Sequence, residues 1–245
     1  MHLHFVIHEY FEAPGAFEQW ARRAQHRISY SRLYQGDHLP SNSDGVDMLV
    51  VMGGPQSPAT TQAQHPHFDA VAEQRLIRQF IDAHKLVIGV CLGAQLIGEA
   101  LGAPYQPSPE REIGKFPIYL TDNAKSHALV SHFGQKLDVG HWHNDMPGLT
   151  PEAQILAYSE GCPRQIIQYQ KWVFGFQCHM ELTTDLVKQL SNHEDFSNAE
   201  KQPFVQTPDV LAHHDYTQMN EALYVFLNKL TEAFFQGEYI ECIDL

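Results

Sequence analysis

Leu86-Val87-Ile88-Gly89-Val90-Cys91-Leu92-Gly93-Ala94-Gln95-Leu96-Ile97-Gly98 divides at its cysteine. The first half is a short apolar run rich in β-branched residues, the mark of a strand buried on both faces. The second half places Leu96, Ile97 and Leu101 among small residues and reads as a helix packed on a sheet. Gly89 and Gly93 flank Cys91 two residues away on either side, the pattern of a nucleophile elbow with Cys in place of Ser. Glycines let the chain turn sharply there. The turn would push the sulfur outward, and the N-terminus of the new helix favours a thiolate. This stretch alone is equally compatible with a small buried Cys in an ordinary βα turn.

The surrounding sequence supplies the matching alternation. Residues 3–8, 27–33 and 46–52 read as strands, and residues 16–25 and 68–83 as helices. In the second helix Phe68, Val71, Ala72, Leu76, Ile77, Phe80 and Ile81 recur at helical spacing. Strands alternating with helices imply right-handed crossovers and a mainly parallel sheet. After Gly102 the pattern changes. Residues 103–112 read as a Pro-rich loop, reshaping the entrance beside the nucleophile. Residues 115–120, 154–158, 165–170 and 172–177 read as shorter strands with tight connections, part of them antiparallel. A short helical turn is expected over 127–133 and a helix from about 182 to 190. Residues 191–206 form a polar loop or lid, and Thr207-Pro208 opens a helix over 209–235. The chain is therefore read as an α/β domain over 1–190 with a C-terminal extension over 191–245 packed on it.

The chain has 245 residues, 43% of them hydrophobic, enough for one domain with a real core. A net charge of −13 argues against electrostatic binding of nucleic acid. Four cysteines in a chain this long make no disulfide framework. Residues 1–8 lack a basic region followed by a long apolar run, and no stretch approaches a membrane span. A soluble, cytoplasmic protein with no membrane partner is expected.

A Cys nucleophile needs a base and a group to orient that base. Trp172-Val173-Phe174-Gly175-Phe176-Gln177-Cys178-His179-Met180-Glu181 offers both at the end of an apolar strand. Residues two apart on a strand share a face, so His179 and Glu181 can stand side by side. Open α/β sheets bind ligands at that strand end. A surface His and Glu at a strand-to-helix turn is the plainer alternative. Upstream, Met52-Gly53-Gly54-Pro55 also ends a strand. The N–H groups of Gly54 and Leu92 could together form an oxyanion hole.

Taken together, Cys91-Leu92-Gly93-Ala94-Gln95, Gly53-Gly54-Pro55 and His179-Met180-Glu181 resemble a class I (triad-type) glutamine amidotransferase domain. The likeness is to the glutaminase part of GMP synthase and its stand-alone relatives, over about residues 1–190. It implies a flavodoxin-like three-layer α/β/α fold. It also implies hydrolysis of glutamine to glutamate and ammonia through a γ-glutamyl thioester on Cys91, with no cofactor. By the same resemblance Gln95 helps bind the substrate. His141-Trp142-His143-Asn144-Asp145 matches the family's S-H-G-D run, whose backbone meets the substrate's amino-acid end. Gly53, Gln95, His141, Trp142 and His143 are thereby the substrate-binding candidates. Trp142 replaces Ser and Asn144 replaces Gly in that run. Cys178 stands where the family has an aromatic residue or His, and Met180 where it has Pro.

Three functions fit the resemblance: a glutaminase serving an ammonia-accepting synthetase, an independent hydrolase of γ-glutamyl compounds, or a binding protein without turnover. No synthetase sequence or nucleotide signature is visible, and the intact Cys91, His179 and Glu181 argue against the third. The 16 histidines raise a separate possibility. His65-x-His67 and His141-x-His143 have ligand-like spacing, and His213-His214 is adjacent. A zinc site needs three or four converging ligands, and thiol chemistry needs no metal, so none is assigned from the sequence.

Overall fold

The computed structural model of the chain describes residues 1–237. Nine strands form one sheet: β1 (His2–Ile7), β2 (Arg27–Arg32), β3 (Met48–Val51), β4 (Leu86–Val90), β5 (Gln106–Leu120), β6 (Lys136–Met146), β7 (Gln154–Tyr158), β8 (Ile166–Gln170) and β9 (Val173–Phe176). Their spatial order is β2-β1-β3-β4-β9-β8-β7-β5-β6. The five strands from β2 to β9 are parallel, and those beyond β9 pair antiparallel. The parallel part repeats the flavodoxin order 2-1-3-4-5 with β9 as the fifth strand. The antiparallel β5–β8 segment is inserted between the fourth and fifth.

The helices are α1 (Ala16–Arg23), α2 (Ala70–Asp82), α3 (Leu92–Ala100), α4 (Thr184–Ser191), α5 (Pro208–Ala212) and α6 (Thr217–Gln236). Side-chain alternation along the buried strands divides the core between two faces. Met48, Val50 and Met52 join α1, α4 and α6 in one hydrophobic cluster. Leu49 and Val51 join α2 and α3 in the other. The result is three layers, helices over both faces of a largely parallel sheet. Among the described residues no helix is long and apolar enough to cross a membrane.

Two expectations need correction. Residues 103–112 are not a Pro-rich loop: from Gln106 they belong to β5, paired with β6 and shifted in register between Pro107 and Glu112. The irregularity accommodates Pro107 and Pro109 in the strand, since proline donates no ladder hydrogen bond. Of β5, only Ile113 reaches the candidate site's cavity. The helix expected over 209–235 is two helices. α5 starts with Pro208 in its first turn and ends at His213. Asp215 then accepts from the Thr217 N–H at 2.9 Å, just ahead of Tyr216, the N-cap of α6.

α6 is part of the core. Met219, Leu223, Phe226, Leu227 and Leu230 are fully buried. Phe226 packs edge-on against Phe174 and Phe176 of β9, with ring centroids 5.4 and 5.2 Å apart. Phe226→Ala is expected to lower the unfolding free energy by about 3–5 kcal/mol, the range for emptying a buried aromatic site. Phe235, 62% exposed, is the control: its Ala variant should shift stability by about 0.5 kcal/mol or less. Urea denaturation of the two variants reads the difference.

Candidate active site

β4 runs directly into α3, and Cys91 sits at the join as the helix N-cap with φ 49° and ψ −107°. Positive φ in a residue other than glycine costs on the order of 1–3 kcal/mol and persists only where the surroundings impose it. Here they do. The Cys91 N–H donates to the Phe176 carbonyl at 2.7 Å, and the Cys91 carbonyl accepts from Gln95 N–H at 3.1 Å. The flanking glycines make the turn fit: a Cβ on Gly93 would lie 2.0 Å from the Val51 carbonyl oxygen, and one on Gly89 would lie 2.3 Å from the backbone of Gly93. The thiol faces the Trp142 carbonyl, 3.6 Å from Sγ, and is 7% exposed.

His179 lies just beyond β9 and is fixed by its own N–H, which donates to the Gly140 carbonyl at 2.8 Å. Its Nδ1 is 2.6 Å from Oε1 of Glu181, and both side chains are buried. Its Nε2 is buried, and the ring interacts with the Cys91 side chain. Burial opposes a charge on the ring, but the Glu181 carboxylate, with Cys91 adding to it, holds the His179 pKa well above its ordinary value. Glu181 is anchored in turn, because its carbonyl accepts from the Ala16 N–H at 2.9 Å.

The remaining candidates divide. A cavity of about 310 Å³ is lined by Cys91, Gly54, Gln95, Trp142 and His143, among others. Gln95 donates to Gln177 Oε1 at 3.2 Å. Leu92 is the first residue of α3, so its N–H belongs to the first-turn donors that find no partner within the helix. Gly53 lies behind the wall: a Cβ on it would meet Glu12 Oε2 at 2.6 Å and His179 Cε1 at 3.3 Å. His141 does not line the cavity. Its ring is fully buried, with Nδ1 3.5 Å from Glu112 Oε2. The His143 ring turns to the same carboxylate at 3.1 Å. The Trp142 indole donates to Glu194 at 2.9 Å, and Glu194 also pairs with Arg111 at 2.6 Å. Leu190, His193 and Glu194 thus close one side of the cavity, while His193 stacks on Phe11 with ring centroids 4.1 Å apart.

Several site residues escaped the sequence reading. His8, just past β1, places Nδ1 2.8 Å from the Gly53 carbonyl and Nε2 2.8 Å from Glu73 of α2. The Gly53 carbonyl and the Glu73 carboxylate are both acceptors, so the two ring nitrogens are placed to donate, the arrangement that suits a protonated ring. Against the opposing effect of burial, Glu73 raises the His8 pKa. This bond fixes the Gly53-Gly54 turn to α2. Glu12 lines the cavity. Burial pushes its carboxyl up to about 7, opposed by His179 and His8 and reinforced by Glu181 and Glu9.

A carboxyl whose folded pKa lies above its unfolded value contributes most stability below the unfolded pKa, and that stability is lost as pH rises through the folded one. For Glu12 the window runs from the ordinary carboxyl value of 4.5 to about 7. Glu12→Gln should therefore gain stability relative to the parent at pH 8, on the order of 3 kcal/mol. The gain should vanish near pH 4. Denaturation curves of both proteins at the two pH values check this.

The thiol on its strand-to-helix elbow and the buried His–Glu pair lie at the C-terminal ends of parallel strands in a flavodoxin-like fold. The chain belongs to the class I glutamine amidotransferase family, whose model matches residues 17–192. It is 54% identical over 235 residues to the glutamine amidotransferase-like protein YfeJ of Salmonella typhimurium, covering 95% of this chain and 98% of that one. The crystal structure of SMU.1228c superposes with a TM-score of 0.93 at 47% identity, over 94% of this chain and all of that one. A glutamine-hydrolysing GMP synthase from Caldanaerobacter subterraneus is 28% identical over 169 residues, which are 66% of this chain and 30% of that enzyme.

Proposed function

We propose that this protein hydrolyses a γ-glutamyl amide, glutamine or a γ-glutamyl compound, through a thioester on Cys91. The observation that carries the reading is the buried His179–Glu181 pair at 2.6 Å beside a thiol held at φ 49° on the α3 N-terminus. His179 Nε2 takes the thiol proton and the sulfur attacks the amide carbon. The carbonyl oxygen becomes an oxyanion held by the N–H groups of Gly54 and Leu92. The protonated His179 gives its proton to the leaving nitrogen, which departs as ammonia or an amine. Water, deprotonated by His179, then attacks the thioester, and glutamate leaves while the thiol regains its proton. Gln95 and the backbone of Trp142 and His143 hold the amino-acid end. Glu12, Asp145 and Glu194 line the cavity, and among the described residues no Lys or Arg does, a lining that favours an ammonium group.

The test is a screen of glutamine, γ-glutamyl anilides and γ-glutamyl dipeptides with purified protein, read by glutamate release. Cys91→Ala serves as the blank. Hydrolysis without ATP or a second protein is the expected result. Inactivity on all of them, followed by glutaminase activity once a co-purifying synthetase is added, would replace the independent hydrolase with a partnered glutaminase.

A further inference from the structure

Glu9 follows β1, and His65 and His67 lie in the long connection between β3 and α2. The three side chains are half-buried, and their ligand atoms lie within 4.8 Å of one another. His67 Nε2 is 2.9 Å from Glu9 Oε1. Gln56 Nε2 donates to the same oxygen at 2.9 Å and lies 3.5 Å from His65 Nδ1. Gln56 is only 6% exposed, yet its Oε1 has no hydrogen-bond partner. Four side chains from two separate segments thus converge on one point.

We propose that Glu9, His65 and His67 bind a divalent transition metal of the zinc class, with the Gln56 carboxamide oxygen as fourth ligand. A tetrahedral site with bonds of about 2.0–2.1 Å sets its ligand atoms about 3.3 Å apart; His67 and Glu9 are 2.9 Å apart, and the Gln56 amide terminus, whose nitrogen now points inward, is 2.9 Å from Glu9 and 3.5 Å from His65. Two imidazoles and a carboxylate suit zinc and its neighbours and do not suit calcium or magnesium. Turning the Gln56 amide end over end exchanges Nε2 for Oε1 facing Glu9 and His65, which supplies the fourth ligand atom. The Glu112, His141 and His143 group is the other convergence. Its Oε2 already accepts from the Ser159 hydroxyl at 2.8 Å and from Gln165 Nε2 at 2.6 Å, and all three side chains are buried, so it reads as a polar network of the core.

The consequence of the proposed site is mechanical. Gln56 and Gly54 both line the candidate active-site cavity, and a Cβ on Gly54 would lie 2.4 Å from Gln56 Oε1. A metal would pin the end of β1 to the connection that carries the Gly53-Gly54 turn, holding that turn without touching substrate.

The test uses Cys91→Ser protein, so that the thiol and His179 offer no competing thiolate site. After chelator treatment it is titrated with Zn²⁺ against a chromophoric chelator. One equivalent should bind, and Zn²⁺ should raise the melting temperature. His65→Ala and His67→Ala should each weaken binding by more than about a hundredfold, beyond the range for outer-shell partners. Co²⁺ should give the visible bands of a four-coordinate nitrogen and oxygen site with no thiolate charge-transfer band. Both histidines are half-buried at the surface, so these variants should fold, which circular dichroism checks. No bound equivalent, or binding unchanged in both variants, overturns the proposal. Binding lost in His143→Gln and kept in His65→Ala would assign the ion to the Glu112 group and overturn it equally.

Discussion

Cys91→Ala is expected to lose γ-glutamyl amide hydrolysis by on the order of a millionfold in kcat, the scale seen when a triad nucleophile is removed. The fold should survive, because a side chain of similar size is removed to a methyl group and the residue is held by backbone bonds to Phe176 and Gln95. Unchanged circular dichroism and an unchanged urea midpoint would separate loss of chemistry from loss of structure. A glutamine-like electrophile should label Cys91 and spare the other thiols. The reason is burial: it pushes the Cys162 thiol up to about 11 and the Cys178 thiol well above its ordinary value, so neither presents thiolate at neutral pH. Cys242 lies outside the described residues. Peptide mass spectrometry after labelling gives the answer, and modification spread evenly over the cysteines would count against Cys91.

How much of this site could be read from the sequence depends on how local each signal is. The elbow is written in consecutive residues, because a β-branched run, a flanked cysteine and an apolar helix each impose their geometry on their neighbours. The parallel strands were legible for the same reason. A strand buried on both faces must be apolar throughout, and Leu86 to Val90 is, apart from Gly89. His179 and Glu181 are two residues apart, so their pairing also needed only local geometry.

Other features depend on convergence, which a linear pattern does not record. Glu12 reaches the cavity because β1 and the turn after it lie at the point where the strand order reverses, which is where such sheets open a crevice. In sequence it is one acid among 29. β6 was not read as a strand. Its polar residues His141 and His143 point to a buried carboxylate on β5, so the rule that polar residues face water gave the wrong signal. Leu137 and Val139, both buried, alternate with polar neighbours and mark the strand in hindsight. His65-x-His67 could be seen, but its carboxylate comes from Glu9, 56 residues earlier. The break between α5 and α6 falls over residues 213–216, where Asp215 accepts from the Thr217 N–H, a local bond hidden inside an otherwise continuous polar run.

His179→Ala should cost nearly as much as Cys91→Ala, since neither group works without the other. The double variant Cys91→Ala/His179→Ala should therefore be no worse than either single one. Glu181→Gln should cost less, on the order of ten-thousandfold or below, because the carboxylate orients the base and does not take the proton. Glutamine can still accept from Nδ1 through its amide oxygen, so the ring stays in place while the charge is lost. That loss has a direction. Burial disfavours the imidazolium, and Glu181 is the largest influence raising the His179 pKa against it. Without the charge, His179 should give up its proton at lower pH. The acidic limb of the kcat/KM profile should then move to lower pH in Glu181→Gln, even though the plateau is reduced. A merely structural role for Glu181 would lower the plateau and leave the limb where it is. Damage from Glu181→Gln equal to that from His179→Ala, with no movement of the limb, would remove the orienting role assigned to Glu181.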